Sequence, residues 1–177
     1  MGACGALVAH LAVPPTAVAE VTDVQVKAAF LYNFAKYTHW PATVEAAGPD
    51  PFAIAILGAD PFGTVLDDML RGKTLGESPV VVRRIARLED VGDARILYIG
   101  NSETDHLPWI LKQLEGSSIL TVGEMSHFAK DGGVVQLKTE GNRVRMEINL
   151  RAAERARLKI SSELLKIARI VDSGPGG

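Results

Sequence analysis

Phe52 to Leu57 reads FAIAIL, six apolar residues without a polar interruption, and this run constrains the fold more than any other segment. Successive side chains of a strand point to opposite faces, so an all-apolar strand has to be covered on both. Arg95 to Ile99 (RILYI) and Ser118 to Val122 (SILTV) are runs of the same kind. Helical patterns lie between them. Gly63 to Leu70 makes a short helix, with Asp60 able to cap it and Pro61 suited to its first position. Glu103 to Leu114 is amphipathic, with Leu107, Ile110, Leu111 and Leu114 inward and Ser102 as cap. A further strand, Val80 to Ile85, follows Pro79. Glu124 to Lys130 reads as one more short helix, closed by Asp131-Gly132-Gly133.

Val134 to Lys138 and Arg143 to Asn149 form a hairpin across Glu140-Gly141-Asn142. Val144, Met146 and Ile148 alternate with Arg143, Arg145 and Glu147, which gives that strand one buried and one wet face. Two helices finish the chain. Leu150 to Arg157 comes first, and the second starts at Ser161 and aligns Leu164, Leu165, Ala168 and Val171. Strand-helix alternation at this spacing predicts a single-domain α/β fold. Its architecture is a three-layer sandwich, with a mostly parallel sheet, a C-terminal antiparallel hairpin and helices on both faces.

The segment Val26 to Pro41, VKAAFLYNFAKYTHWP, packs five aromatics into one helical run. Phe30, Phe34 and Tyr37 fall at i, i+4, i+7, one turn after Val26, and share a face. Tyr32, Asn33 and Lys36 face elsewhere. Pro41 disfavours α geometry at Trp40 and ends the helix there.

Several segments together resemble the YfiR family of periplasmic regulators: VKAAFLYNFAKYTHWP, LGADPFG (Leu57 to Gly63), FAKDGGVV (Phe128 to Val135), and NRVRMEINLRAA followed by LKISSELLKIARIV. The resemblance runs from about Val24 to Val171. It implies a non-enzymatic periplasmic protein that represses the periplasmic sensor domain of an inner-membrane diguanylate cyclase. It also implies a homodimer, and an outer-membrane lipoprotein that sequesters the regulator and releases the cyclase.

Lys plus Arg is 19 and Asp plus Glu is 21, a formal charge of -2, which argues against a nucleic-acid partner. The stretch 143 to 169 is nonetheless basic. The lone cysteine, Cys4, precedes the domain, so the domain holds itself by packing alone. Ala6 to Val13 is a short apolar run, and Ala17-Val18-Ala19 is a small-x-small site before Glu20. Residues 1–19 therefore read as a secretory signal peptide, 20–172 as the domain and 173–177 as a disordered tail. The signal lacks a basic n-region, since no Lys or Arg precedes Lys27; a start upstream of Met1 would supply one. The run is too short to span a bilayer, so no membrane span is expected, and the signal-like segment together with the resemblance implies the periplasm.

The chemistry-bearing residues do not assemble by spacing. In a parallel sheet the default ligand site lies beyond the strands' carboxyl ends. Here those are Gly58-Ala59-Asp60, Gly100-Asn101-Ser102 and Val122-Gly123-Glu124. Asp60 would repel a phosphate, and Gly72-Lys73-Thr74 lacks the upstream glycine of a P-loop. His10, His39, His106 and His127 show no ligand spacing. Ser161-Ser162 has no glycine elbow. The expectation is a binding protein without catalytic residues, cofactor or metal. Its candidate partner or dimer surface is Tyr32, Lys36, Trp40 and Trp109, because exposed aromatics anchor interfaces. The glycine-rich strand ends leave one alternative open: a periplasmic small-ligand module reporting to a sensor kinase or transport system.

Overall fold

The structure, a computed structural model, describes residues 21–45 and 51–172; the expected signal segment and tail lie outside them. The elements in chain order are α1 (Asp23–Tyr37), β1 (Thr38–His39), α2 (Ala42–Glu45), β2 (Phe52–Leu57), α3 (Thr64–Leu70), β3 (Thr74–Leu75), β4 (Ser78–Ile85) and β5 (Ile96–Ile99). After them come α4 (Leu107–Gln113), β6 (Leu120–Gly123), β7 (Val135–Glu140), β8 (Arg143–Asn149), α5 (Leu150–Arg155), β9 (Lys159–Ile160), α6 (Ser162–Leu165) and β10 (Arg169–Val171). Eight strands form one sheet in the order β10-β8-β7-β6-β5-β2-β4-β3, and β1 pairs with β9 in a small ribbon.

The sheet is mostly parallel, as expected, with β2 central between β4 and β5. Antiparallel pairing occurs in the β7–β8 hairpin and at the β3–β4 edge. All six β2 residues are buried, because each face of the strand meets its own core. Phe52, Ile54 and Ile56 pack with Ala28, Leu31 and Phe34 of α1, Leu66 and Leu70 of α3, and Leu164 of α6. Ala53, Ala55 and Leu57 pack on the other side with Leu88, Leu107, Ile110 and Phe128. Helices therefore cover both faces.

Several boundaries differ from the expectation, each for a physical reason. Helix α1 is opened by Thr22 in a capping box with Gln25, and it ends at Tyr37 rather than at Trp40. Thr38 and His39 turn extended so that they can pair with Ile160 and Lys159. The buried stripe of α1 contains Ala28, Leu31, Phe34 and Ala35, so Phe34 of the expected face is in the core while Phe30 and Tyr37 sit at its margin.

Asp60 does not cap α3. It accepts from the Phe62 amide at 2.7 Å in a tight turn, and Gly63 precedes the helix. Glu103 to Leu114 divides into a 3₁₀ turn, Asn101–His106, and α4; Pro108 sits in the first turn of α4, where its missing amide costs nothing. Ser102 bonds the Ala59 amide instead of capping. The last helix stops at Leu165, and Arg169–Val171 crosses back as β10, parallel to β8. Glu147, expected on a wet face, is buried, with Lys138 Nζ 2.9 Å from its carboxylate.

Residues 124–130 form successive turns rather than a helix. Phe128 is fully buried and plugs a slot whose walls are Gly123 and Gly133. A Cβ on Gly133 would sit 2.1 Å from the Phe128 ring, and one on Gly123 would sit 2.7 Å from it. Two buried amides hold the turns open. Gln136 donates to the Met125 carbonyl at 2.8 Å, and Asn149 donates to the Ala129 carbonyl at 2.6 Å. Asn149 also caps α5 by accepting from the Ala152 amide.

Candidate functional site

The carboxyl ends of β2, β5 and β6 meet as a parallel sheet dictates, around a cleft of about 130 Å³ lined by Ala59, Asp60, Pro61, Tyr98, Asn101 and Glu124. Its polar groups are committed to one another. Glu124 accepts from the Tyr98 hydroxyl at 2.7 Å and from Lys27 Nζ at 2.8 Å. Burial, reinforced by the Glu124 carboxylate, pushes the Tyr98 hydroxyl well above the usual phenol range.

Beside it, Arg84 reaches Asp60 at 2.8 Å, Asp67 at 2.6 Å and the Gly63 carbonyl at 2.7 Å. That guanidinium holds the Asp67 carboxyl below its ordinary range. Four hydrogen bonds from one side chain, two of them to Asp67, clamp the β2–α3 loop to the start of α3. Among the described residues no three His, Cys, Asp or Glu side chains converge as metal ligands.

The structure separates the four residues expected to share a contact surface. Tyr32 and Lys36 lie together on α1: Lys36 Nζ stands 5.8 Å from the Tyr32 ring centre, and Lys73 Nζ approaches the same ring at 6.0 Å. Trp40 is a correction. It is only 6% exposed and packs edge-on against Phe52 at 5.3 Å, so it belongs to the core on α1's side of the sheet. Trp109 lies on the opposite side and is 50% exposed. It borders a groove of about 250 Å³ with Leu57, Leu88, Glu103, His106 and Ile110.

Burial of Trp40 creates a different feature. Its Nε1–H and the Thr38 hydroxyl are buried without a hydrogen-bond partner among the described residues. Trp40 also lines a concavity of about 540 Å³ with His39, Pro41, Ala42, Arg157 and Lys159. Arg157 is held at φ 57, the left-handed region that a non-glycine residue rarely adopts.

Sequence reasoning passed over Lys27. It sits four and seven residues before Leu31 and Phe34, inside a buried stripe, where a lysine requires a carboxylate partner. That mismatch was the available signal for the Lys27–Glu124–Tyr98 cluster. The partner, 97 residues away, was not readable from it.

The fold has relatives among solved structures. A conserved domain protein from Vibrio cholerae O1 biovar El Tor superposes with a TM-score of 0.52 at 12% identity, over 88% of this chain and 61% of that one. An ABC domain from Streptococcus pneumonia in complex with L-Trp gives 0.49 at 9% identity, over 68% and 55%. A ligand-free, open substrate-binding protein with adhesive properties from Clostridium difficile gives 0.48 at 12% identity, over 75% and 58%. The chain thus spans 55–61% of the length of these structures. At 12% identity the likeness to the Vibrio cholerae protein concerns the fold alone. No curated protein sequence matches the chain significantly. A family profile described as YfiR/HmsC-like matches residues 24–169, from the first turn of α1 to the start of β10, and the chain belongs to that family.

Proposed function

We propose that this protein is a periplasmic regulator that binds and represses the periplasmic sensor domain of an inner-membrane diguanylate cyclase, and so lowers cyclic-di-GMP. The observation that carries the reading is the family match over 24–169, because membership in the YfiR/HmsC-like family points to a regulator of diguanylate cyclases. The geometry agrees with a binding role. The titratable groups at the strand ends pair internally, and among the described residues no helix is long and apolar enough to cross a membrane.

Repression requires only that the regulator prefer one of two arrangements of the sensor domain, by a few kcal/mol of differential affinity. A homodimer, with an outer-membrane lipoprotein as antagonist, completes the scheme. Deleting the gene is expected to raise cellular cyclic-di-GMP, and restoring it to return the level. An unchanged nucleotide level would remove the reading.

A second reading rests on the concavity at Trp40. An unpartnered indole N–H beside Arg157 and Lys159 suits a small ligand with an acceptor and an anionic group. Binding there would make the protein a periplasmic ligand sensor that reports to a kinase or transport system. The chain has two tryptophans, so a Trp109→Phe variant leaves Trp40 as the only tryptophan reporter. Its emission is expected to shift on titration with carboxylate-bearing metabolites, and a flat response across such a set would end this reading.

A further inference from the structure

The cations of this chain are not spent evenly. Lys27, Arg83, Arg84 and Lys138 each meet a carboxylate. Lys36, Lys73, Arg157 and Lys159 are among the exposed cations that have no carboxylate partner within the described residues. Two of them flank Tyr32 on α1, and the β1–β9 ribbon brings the other two to the end of that helix.

Lys73 and Lys36 flank the ring of Tyr32, and Lys36 also stands 5.4 Å over Tyr37. The Tyr32 hydroxyl reaches the Thr74 carbonyl at 3.5 Å, which joins α1 to the β3 edge. The Tyr37 carbonyl accepts from the Ser161 amide, and His39 pairs with Lys159 in the β1–β9 ribbon. Arg157 and Lys159 then border the concavity at Trp40. Two acids close to the track in sequence have partners of their own. Asp68 holds Arg71, and Glu163 accepts from the Ser161 and Ser162 hydroxyls. In a chain with a formal charge of -2, this track is a local excess of positive charge.

We propose that the track from Lys73 through Tyr32 and Lys36 to Lys159 and Arg157 is the docking surface for an acidic segment of a protein partner. The proposal rests on the regulatory reading above and names the chemistry of the partner's contact. Exposed ammonium groups steer and register an acidic segment without leaving a buried charge unpaired. Half-buried tyrosines supply rigid contact area beside them. An anionic membrane is the less suitable occupant, because interfacial binding needs apolar side chains to insert. None of the exposed large apolar residues among those described, Val21, Trp109, Ile167 and Ile170, is one of the residues named in the track.

The test uses the full chain, a short fluorescein-labelled glutamate-rich peptide, and vesicles rich in phosphatidylglycerol. The wild type is expected to bind the peptide with an affinity that falls as salt rises. Lys36→Glu/Lys73→Glu is expected to weaken binding about tenfold or more, with an unchanged melting temperature. The control Arg143→Glu/Arg145→Glu, on the exposed hairpin end, is expected to leave binding within about twofold. Equal weakening by both variants, or binding to vesicles but not to peptide, overturns the proposal.

In cells the two readings part. If wild type lowers cyclic-di-GMP and Lys36→Glu/Lys73→Glu lowers it equally, the docking surface is wrong and the regulatory reading stands. If wild type itself has no effect, the regulatory reading fails, and the peptide measurement alone decides the surface.

Discussion

Phe128→Ala is expected to lower stability by about 3–5 kcal/mol, read as a shift in the urea midpoint at unchanged slope. Phe128 is fully buried, and its ring is the plug around which residues 124–133 turn. The reciprocal change, Gly133→Ala, places a methyl where the ring already stands, 2.1 Å from its nearest carbon. Overpacking of that kind costs about 1–3 kcal/mol or more, since ring or backbone has to move. The pair is diagnostic because the two losses share a cause. In the Phe128→Ala background the collision partner is gone, so Gly133→Ala should cost much less than in wild type. Strict additivity of the two changes would show that the slot does not hold the ring.

Glu124→Leu is expected to cost about 3–5 kcal/mol, because it strands Lys27 with its side chain only 11% exposed. The same change removes the acceptor of the buried Tyr98 hydroxyl. Replacing both charges, as Lys27→Met/Glu124→Leu, should recover the part of the loss due to the stranded lysine, while the Tyr98 hydroxyl stays without its acceptor. Chemical denaturation of the two variants against wild type measures this. A single-variant loss below about 1 kcal/mol would place the pair among solvent-screened surface bridges. The effect is structural and local to one seam, where α1 is fastened to the carboxyl end of β6.

The sheet was legible in the sequence where burial alone determines structure. FAIAIL could be nothing but a strand covered on both sides, and β2 is that strand, at the centre of the sheet. The hairpin was legible through its glycine turn, and it pairs Glu140 with Arg143 across Gly141-Asn142. The segment 124–130 was not, because its shape is imposed from outside. Gln136 and Asn149 capture its carbonyls, and two glycines admit its phenylalanine. Local propensity cannot report partners that arrive later in the chain.

The contact surface failed at Trp40 for a related reason. A tryptophan before a proline at a helix end reads as solvent-facing. The β1–β9 ribbon, which pairs Thr38 with Ile160 and His39 with Lys159, instead folds the chain so that Trp40 meets Phe52. Tyr32 and Lys36 were placed correctly relative to each other by their spacing alone.

The position of β10 bears on when this molecule can become itself. Helix α1, near the start of the described chain, packs against β8 and α6 near its end, and β10 is the outermost strand beside β8. A chain emerging N-terminus first from a ribosome or a translocation pore therefore carries α1 with half of its cradle still missing. Until residues 143–171 are out, one face of the sheet has no complete cover. Folding of this protein thus waits on residues 143–171, and any device that delays them keeps the earlier part of the chain open to chaperones and to proteases.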